Sequence, residues 1–270
     1  MDDCRTLYLD LMKRSLLNMI YGDKEVVYAA PRGPVKRAIF NTIRMSGVEV
    51  IRPRNFDPAK RVSGGDWPTD GQTMLSLQRL ENIQYCVETA LQDSVPGDLI
   101  ETGVWRGGAT IFMRALLKAY GVTDRKVYVA DSFEGLPPAD EAKYPQDAGI
   151  AYHTMTELMI SLEEVQGNFA RYDLLDDQVR FLKGWFRDTL PTAPMQQLAV
   201  MRLDGDMYES TLDGLNALYP KLSVGGFVII DDYGMLEPCR QAVDDYRTQH
   251  GIQEKVEKID FAGVFWRRLA

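Results

Sequence analysis

Short apolar runs that break off at acids constrain this 270-residue chain more than any other feature. Leu198-Ala199-Val200-Met201 leads into Leu203-Asp204-Gly205-Asp206, and Phe227-Val228-Ile229-Ile230 leads into Asp231-Asp232. Near-continuous apolar runs of this length read as buried strands of a parallel sheet. Similar runs begin after Pro96-Gly97 and alternate with helical patterns: Asp98–Thr102, Val127–Ala130, Val179–Leu182, Leu198–Leu203, Phe227–Ile230, and a final pair near Lys255–Ile259 and Val264–Arg268. That order predicts an α/β fold with a mostly parallel sheet. Ligands of such sheets bind beyond the carboxyl ends of the strands. Four carboxylates delivered there would repel one another unless a cation lies between them, and a divalent metal is the economical explanation.

The chain ahead of this alternation reads differently. Leu7 to Ile20 predicts a helix with a broad apolar face, ended by Gly22 and Asp23. Such a face must be buried on the core or on a second subunit. Residues 52–73 are rich in turn formers but carry Phe56 and Trp67, which favours a lid over a solvated loop. Residues 74–94 predict a helix, with Leu75, Leu80, Ile83, Val87 and Leu91 near one face. The expected organisation is an N-terminal helical segment with a lid loop over 1–94, not independent, and a core over 95–270. The connection at 137–166 is expected to form a second flap.

A net charge of −8 disfavours nucleic acid and anionic membrane as partners, because nothing would neutralise the phosphates. No apolar run approaches the roughly 20 residues that span a bilayer. The acidic N-terminus lacks the order of a signal peptide. Cys4, Cys86 and Cys239 have no metal-ligand spacing. A cytoplasmic setting is the expectation.

The first strand runs into Glu101-Thr102-Gly103-Val104-Trp105-Arg106-Gly107-Gly108. Glycines at a strand-to-helix turn let a ligand approach the backbone, and the following helix offers free N–H groups. The spacing is not that of a dinucleotide fold, since Trp105 and Arg106 stand where a pyrophosphate needs bare backbone. Asp131, at the end of the second strand, is placed either to accept from ribose hydroxyls or to cap the next helix. With the glycine turn beside it the nucleoside reading is stronger, though Asp131 alone does not separate dinucleotides from S-adenosylmethionine. Of the two histidines, His153 is read as a surface residue and His250 as a helix C-terminus.

Glu101–Gly108, Ala130–Pro137, Leu203–Tyr208 and Ile230–Asp232, in this order, resemble the macrocin O-methyltransferase family, whose members methylate sugar hydroxyls on antibiotics and related natural products. Leu7–Leu11 and Tyr21-Gly22-Asp23 fit as well, so the likeness covers nearly the whole chain. The resemblance implies a class I methyltransferase (Rossmann-like) fold: a mostly parallel seven-stranded sheet with helices on both faces. It also implies S-adenosylmethionine as donor, magnesium as cofactor, a small glycosylated acceptor and a homodimer or larger homo-oligomer. Carried onto matching positions, Glu101, Thr102, Gly103 and Val104 would line the methionine part of the donor; Arg106 is placed either to meet the donor's carboxylate or to form a surface salt bridge. Asp131 would hold the ribose, Ser132 would sit beside the nucleoside, and Gly184 and Trp185 would border the adenine. Asp204, Asp231 and Asp232 would be metal ligands, with Asp206 the catalytic base. A catechol-type O-methyltransferase, a nicotinamide-dependent oxidoreductase and a nucleoside-binding scaffold are the rival readings.

Overall fold

The computed structural model describes residues 2–22, 26–28, 31, 33–48, 50–53 and 56–270. Asp23 and part of the expected lid, residues 54–55, lie outside them. The element order is α1 (Asp2–Leu16), β1 (Val26–Tyr28), α2 (Pro34–Met45), β2 (Ile51–Pro53), α3 (Pro58–Ser63), α4 (Leu77–Gln92), β3 (Asp98–Thr102), α5 (Gly108–Ala119) and β4 (Val127–Asp131). It continues with α6 (Leu162–Arg171), β5 (Val179–Lys183), α7 (Phe186–Thr189), β6 (Leu198–Leu203), α8 (Tyr208–Leu218), β7 (Leu222–Ile230), α9 (Glu237–Gln249), β8 (Glu257–Lys258) and β9 (Val264–Arg267).

Seven strands form one sheet in the order β5-β4-β3-β6-β7-β9-β8. The first five pair in parallel, while β9 runs antiparallel to both β7 and β8. This is the mostly parallel seven-stranded sheet that the sequence implies. Successive strand residues face opposite sides, so each strand feeds two cores. Leu99, Val127, Val129, Phe227 and Ile229 pack on the side of α1, α4 and α5. Ile100, Tyr128, Ala130, Met201 and Val228 pack on the side of α8 and α9.

The face of α1 settles on this core: Leu9, Met12 and Leu16 are buried against it, while Leu7 and Leu11 on the other side are exposed. The segment after β2 is fastened through α3. Asp57 caps that helix by accepting from the Ala59 and Lys60 N–H groups. Fully buried Arg61 donates to the Met74 and Leu75 carbonyls. The expected flap is three 3₁₀ turns, Pro145–Asp147, Tyr152–Thr154 and Thr156–Leu158, ahead of α6. Among the described residues no helix is long and apolar enough to cross a membrane.

Candidate active site

Strand order reverses at β3, which lies between β4 and β6. The loops leaving β3 and β6 part there and open a crevice. Their closeness dictates the residue type. Gly103 has φ +79°, and a Cβ at that position would stand 1.8 Å from the Asp204 carbonyl oxygen. Only glycine fits both the conformation and the space.

At the end of β4, Asp131 accepts from the Val104 N–H (2.8 Å) and the Phe133 N–H (2.8 Å). It thus ties the β3 and β4 loops together. Burial pushes its pKa up, against those two bonds and further contributions from Ser132 and Trp105. A carboxylate has about four lone-pair sites, and the bond from Ser132 Oγ is long at 3.4 Å, so Asp131 can still accept from a ligand.

Two cavities open along this edge. A slot of about 100 Å³ is lined by Gly103, Asp131, Ser132, Gly184 and Trp185, with Pro137 and Leu158 of the flap closing over it. A wider cavity of about 590 Å³ is lined by Glu101, Val104, Arg79, Tyr152 and Phe261. Met74, Trp105, Leu158, Asp204 and Asp206 line both. Of the residues expected at the donor, Thr102 and Arg106 line neither. Thr102 is buried in β3. Arg106 stacks on Trp105 and donates to the Thr69 and Gly71 carbonyls, so its work here is to hold the 64–76 loop. Among the other residues singled out in the sequence, His250 caps the C-terminus of α9, and His153 lines neither cavity.

The acids meet at the shared wall. Asp204, Asp206 and Asp232 each offer a carboxylate oxygen, and these oxygens lie within 4.8 Å of one another. Asp206 adopts φ +58°, a left-handed conformation that is rare away from glycine and concentrates at functional sites. Burial, then Asp231, raises the pKa of Asp204 to about 6. Burial, then Asp204 and Asp231, raises that of Asp206 to about 8. Asp232 is pushed well above the ordinary carboxylate range by burial and then by Asp206.

Asp231, grouped with Asp204 and Asp232 from the sequence, is held differently. One of its oxygens is 2.5 Å from Arg79 Nη1, and the other pairs with Arg202. Arg202 also pairs with Glu101 and, at 3.1 Å, with Asp204. Arg79 in turn reaches Asp260 at 2.9 Å. Burial, against the pull of Arg202, lifts Glu101 to about 8. Sequence reasoning missed both arginines. Arg202 had a visible signal, a lone charge inside the apolar run Leu198–Leu203; Arg79, on the polar side of a helix pattern, had none.

The acid cluster passes an independent test of fit for a divalent cation. Asp232 Oδ2 is buried with no hydrogen-bond partner among the described residues. An all-oxygen donor set suits magnesium. For the donor, Glu101 Oε2 is likewise buried without a hydrogen-bond partner among the described residues, and Gly103 lines the slot.

A family model described as macrocin-O-methyltransferase (TylF) matches residues 5–268. The chain is 52% identical over 270 residues to the 8-demethyl-8-(2,3-dimethoxy-alpha-L-rhamnosyl)-tetracenomycin-C 4'-O-methyltransferase of Streptomyces olivaceus, covering 100% of this chain and 95% of that one. It is 52% identical over 267 residues to the mycinamicin III 3''-O-methyltransferase of Micromonospora griseorubida, covering 98% and 97%. The solved structure of the O-methyltransferase NovP superposes with a TM-score of 0.86 at 48% identity, over 98% of this chain and 100% of that one.

Proposed function

The chain belongs to the macrocin-O-methyltransferase family and is an O-methyltransferase, and from that premise we propose that it methylates a sugar hydroxyl of a glycosylated natural product. S-adenosylmethionine is the donor and magnesium the cofactor in this reading. The relatives from Streptomyces olivaceus and Micromonospora griseorubida carry such acceptors in their names. The observation that carries the proposal is the wall shared by the two cavities. A narrow slot lined by Asp131, Gly184 and Trp185 meets a wider cavity, and the carboxylates stand at the junction.

In this reading Asp131 takes the ribose hydroxyls, while Gly184 and Trp185 border the adenine. Glu101 Oε2 and the backbone of Gly103 face the methionine part of the donor. The donor, when bound, would supply an electrophilic sulfonium methyl group, and Asp206 would take the proton that the acceptor hydroxyl gives up. Asp206 lines both cavities, and burial and the neighbouring acids raise its pKa to about 8 while the cluster holds no cation; a bound cation would lower it and leave the carboxylate ionised to take that proton. Asp204 and Asp232 would hold the cation; Asp231 would join them by giving up one of its two guanidinium partners. Magnesium, when bound, would polarise the acceptor oxygen and lower its pKa. Alignment of donor and acceptor at the shared wall supplies the rest. The homo-oligomer implied by the resemblance would cover the exposed side chains of Leu7, Leu11, Val35 and Ile39.

The deciding experiment is calorimetric titration with S-adenosylhomocysteine in magnesium and in EDTA, followed by turnover on glycosides and catechols. One-to-one binding with magnesium-dependent turnover of glycosides is expected. Absence of binding by folded protein would overturn the donor assignment, and turnover confined to catechols would overturn the acceptor class. Asp206→Asn should retain both ligands and lose roughly 10²–10⁴-fold in turnover.

A further inference from the structure

The two cavities orient the donor. The transferable methyl must meet the acceptor, so it belongs at the wall lined by Trp105, Leu158, Asp204 and Asp206. The nucleobase then lies at the other end of the slot, between residues 184–187 behind β5 and residues 209–213 on α8.

Glu209 is out of place at that end. It is only 4% exposed, and its backbone N–H is fixed by the Asp147 carboxylate at 3.0 Å. Its Oε1 lies 3.5 Å from Arg187 Nη1. Its Oε2 is buried with no hydrogen-bond partner among the described residues. A buried carboxylate oxygen without a donor is costly unless a ligand supplies one. Asp213, on the same wall, is only half-buried and reaches water, so its oxygens carry no such deficit.

We infer that Glu209 and Arg187 read the Watson–Crick edge of the donor's adenine, Glu209 Oε2 accepting from the 6-amino group and Arg187 donating to N1. The inference rests on the S-adenosylmethionine reading above and gives it a base-specific contact. Adenine presents a donor beside an acceptor, and the carboxylate–guanidinium pair presents an acceptor beside a donor. A 6-oxopurine reverses both positions. Its O6 would face the carboxylate, and its N1–H would face the guanidinium. A site built around such contacts rejects the mismatched ligand strongly, because its buried polar groups are left unpaired.

The test compares S-adenosylhomocysteine with its 6-oxo analogue, S-inosylhomocysteine, by calorimetry on the full chain. The wild type should prefer the 6-amino ligand by at least about 100-fold. Glu209→Gln, whose amide can donate to O6, should narrow that preference to below about 10-fold, weakening one ligand and strengthening the other. Arg187→Met changes a half-exposed side chain and should also narrow the ratio. Equal binding of both ligands by the wild type overturns the base-edge assignment and leaves the donor reading standing. Absence of binding of either ligand by folded protein overturns the donor reading itself. If Glu209→Gln does not fold, Arg187→Met carries the test, and an unchanged ratio there overturns the assignment.

Discussion

Asp147 should be the fastening between the flap and the active-site loop. It is fully buried, and its carboxylate accepts from the Tyr208 N–H at 2.7 Å and the Glu209 N–H at 3.0 Å, 61 and 62 residues further along the chain. Helix α8 starts without a side-chain cap from its own N-cap residue, Met207. Asp147 therefore supplies from a distance what an N-cap serine or aspartate supplies locally. Each hydrogen bond to a charged group is worth about 1.5–3 kcal/mol, and a carboxylate at a helix N-terminus adds about 0.3–1 kcal/mol. Asp147→Asn keeps one acceptor, turns an NH₂ toward the other N–H, and removes the charge. The expected loss is about 3 kcal/mol, roughly 100-fold in the equilibrium that holds the flap down. Hydrogen exchange should show the Tyr208 and Glu209 amides opening faster by that factor. Affinity for S-adenosylhomocysteine should fall with it, because Pro137 and Leu158 of the flap line the slot. Asp147→Ala, which removes both bonds, should exceed the Asn variant on both readouts. Equal protection of the two amides in wild type and both variants would refute the cap. Faster exchange with unchanged affinity would refute the link from flap to slot.

Gly103→Ala should unfold the chain or abolish donor binding, since its Cβ would stand 1.8 Å from the Asp204 carbonyl oxygen at φ +79°; a urea midpoint within error of wild type would contradict the crowding. Metal linkage should depend on pH. Asp204 at about 6 and Asp206 at about 8 lie above the unfolded value of about 4. Their contribution to metal-free stability is complete below about pH 4 and is lost as pH rises to about 8. The Tm in EDTA should fall over that interval and the increase in Tm on adding magnesium should grow, whereas a magnesium shift independent of pH would count against the cluster as its site. Arg202→Met leaves Glu101 and Asp231 short of a partner and should cost about 3–5 kcal/mol. Glu101→Gln in the same chain should restore part of that, and a single variant as stable as wild type would remove the network as a support.

The sheet was legible because burial on both faces leaves little room for polar residues. β3 and β6 run over Asp98–Thr102 and Leu198–Leu203, the bounds that their apolar runs predict. β7 begins at Leu222 rather than Phe227, five residues ahead of the apolar run that marks it in sequence. In the structure Gly225, at φ +88°, is carried inside the strand. The expected pair near 255–268 is present, but β8 shrinks to Glu257–Lys258. The acid cluster was legible as a set of strand ends, and Asp204, Asp206 and Asp232 do converge. Neither the double arginine clamp on Asp231 nor the work of Asp147 was legible. Asp147 acts on backbone N–H groups, which carry no residue signature. Asp231 and Asp232 are neighbours with the same side chain, and only tertiary packing turns one toward Arg79 and Arg202 and the other toward Asp206.

That division of the two aspartates explains how so many acids share one sheet edge. Arg79 and Arg202 are buried among Glu101, Asp204, Asp231 and Asp260, each guanidinium touching more than one carboxylate. Burial works against the charge of Arg202, yet Asp231, Glu101 and Asp204 raise its pKa well above the ordinary arginine value. Two guanidinium groups cannot balance those acids together with Asp206 and Asp232, which have no arginine partner of their own among the described residues. The remaining charge must be met by protons or by a cation. The raised pKa values of Asp204, Asp206 and Asp232 describe the proton-held state. A divalent ion entering the same cluster would displace protons and leave Asp206 ionised beside it, in the protonation state that a general base requires. The clamp on Asp231 and the exchangeable charge on its neighbours are therefore two parts of one arrangement. The first holds the acids together, and in the proposed reading the second would leave Asp206 available for proton transfer once a cation is bound.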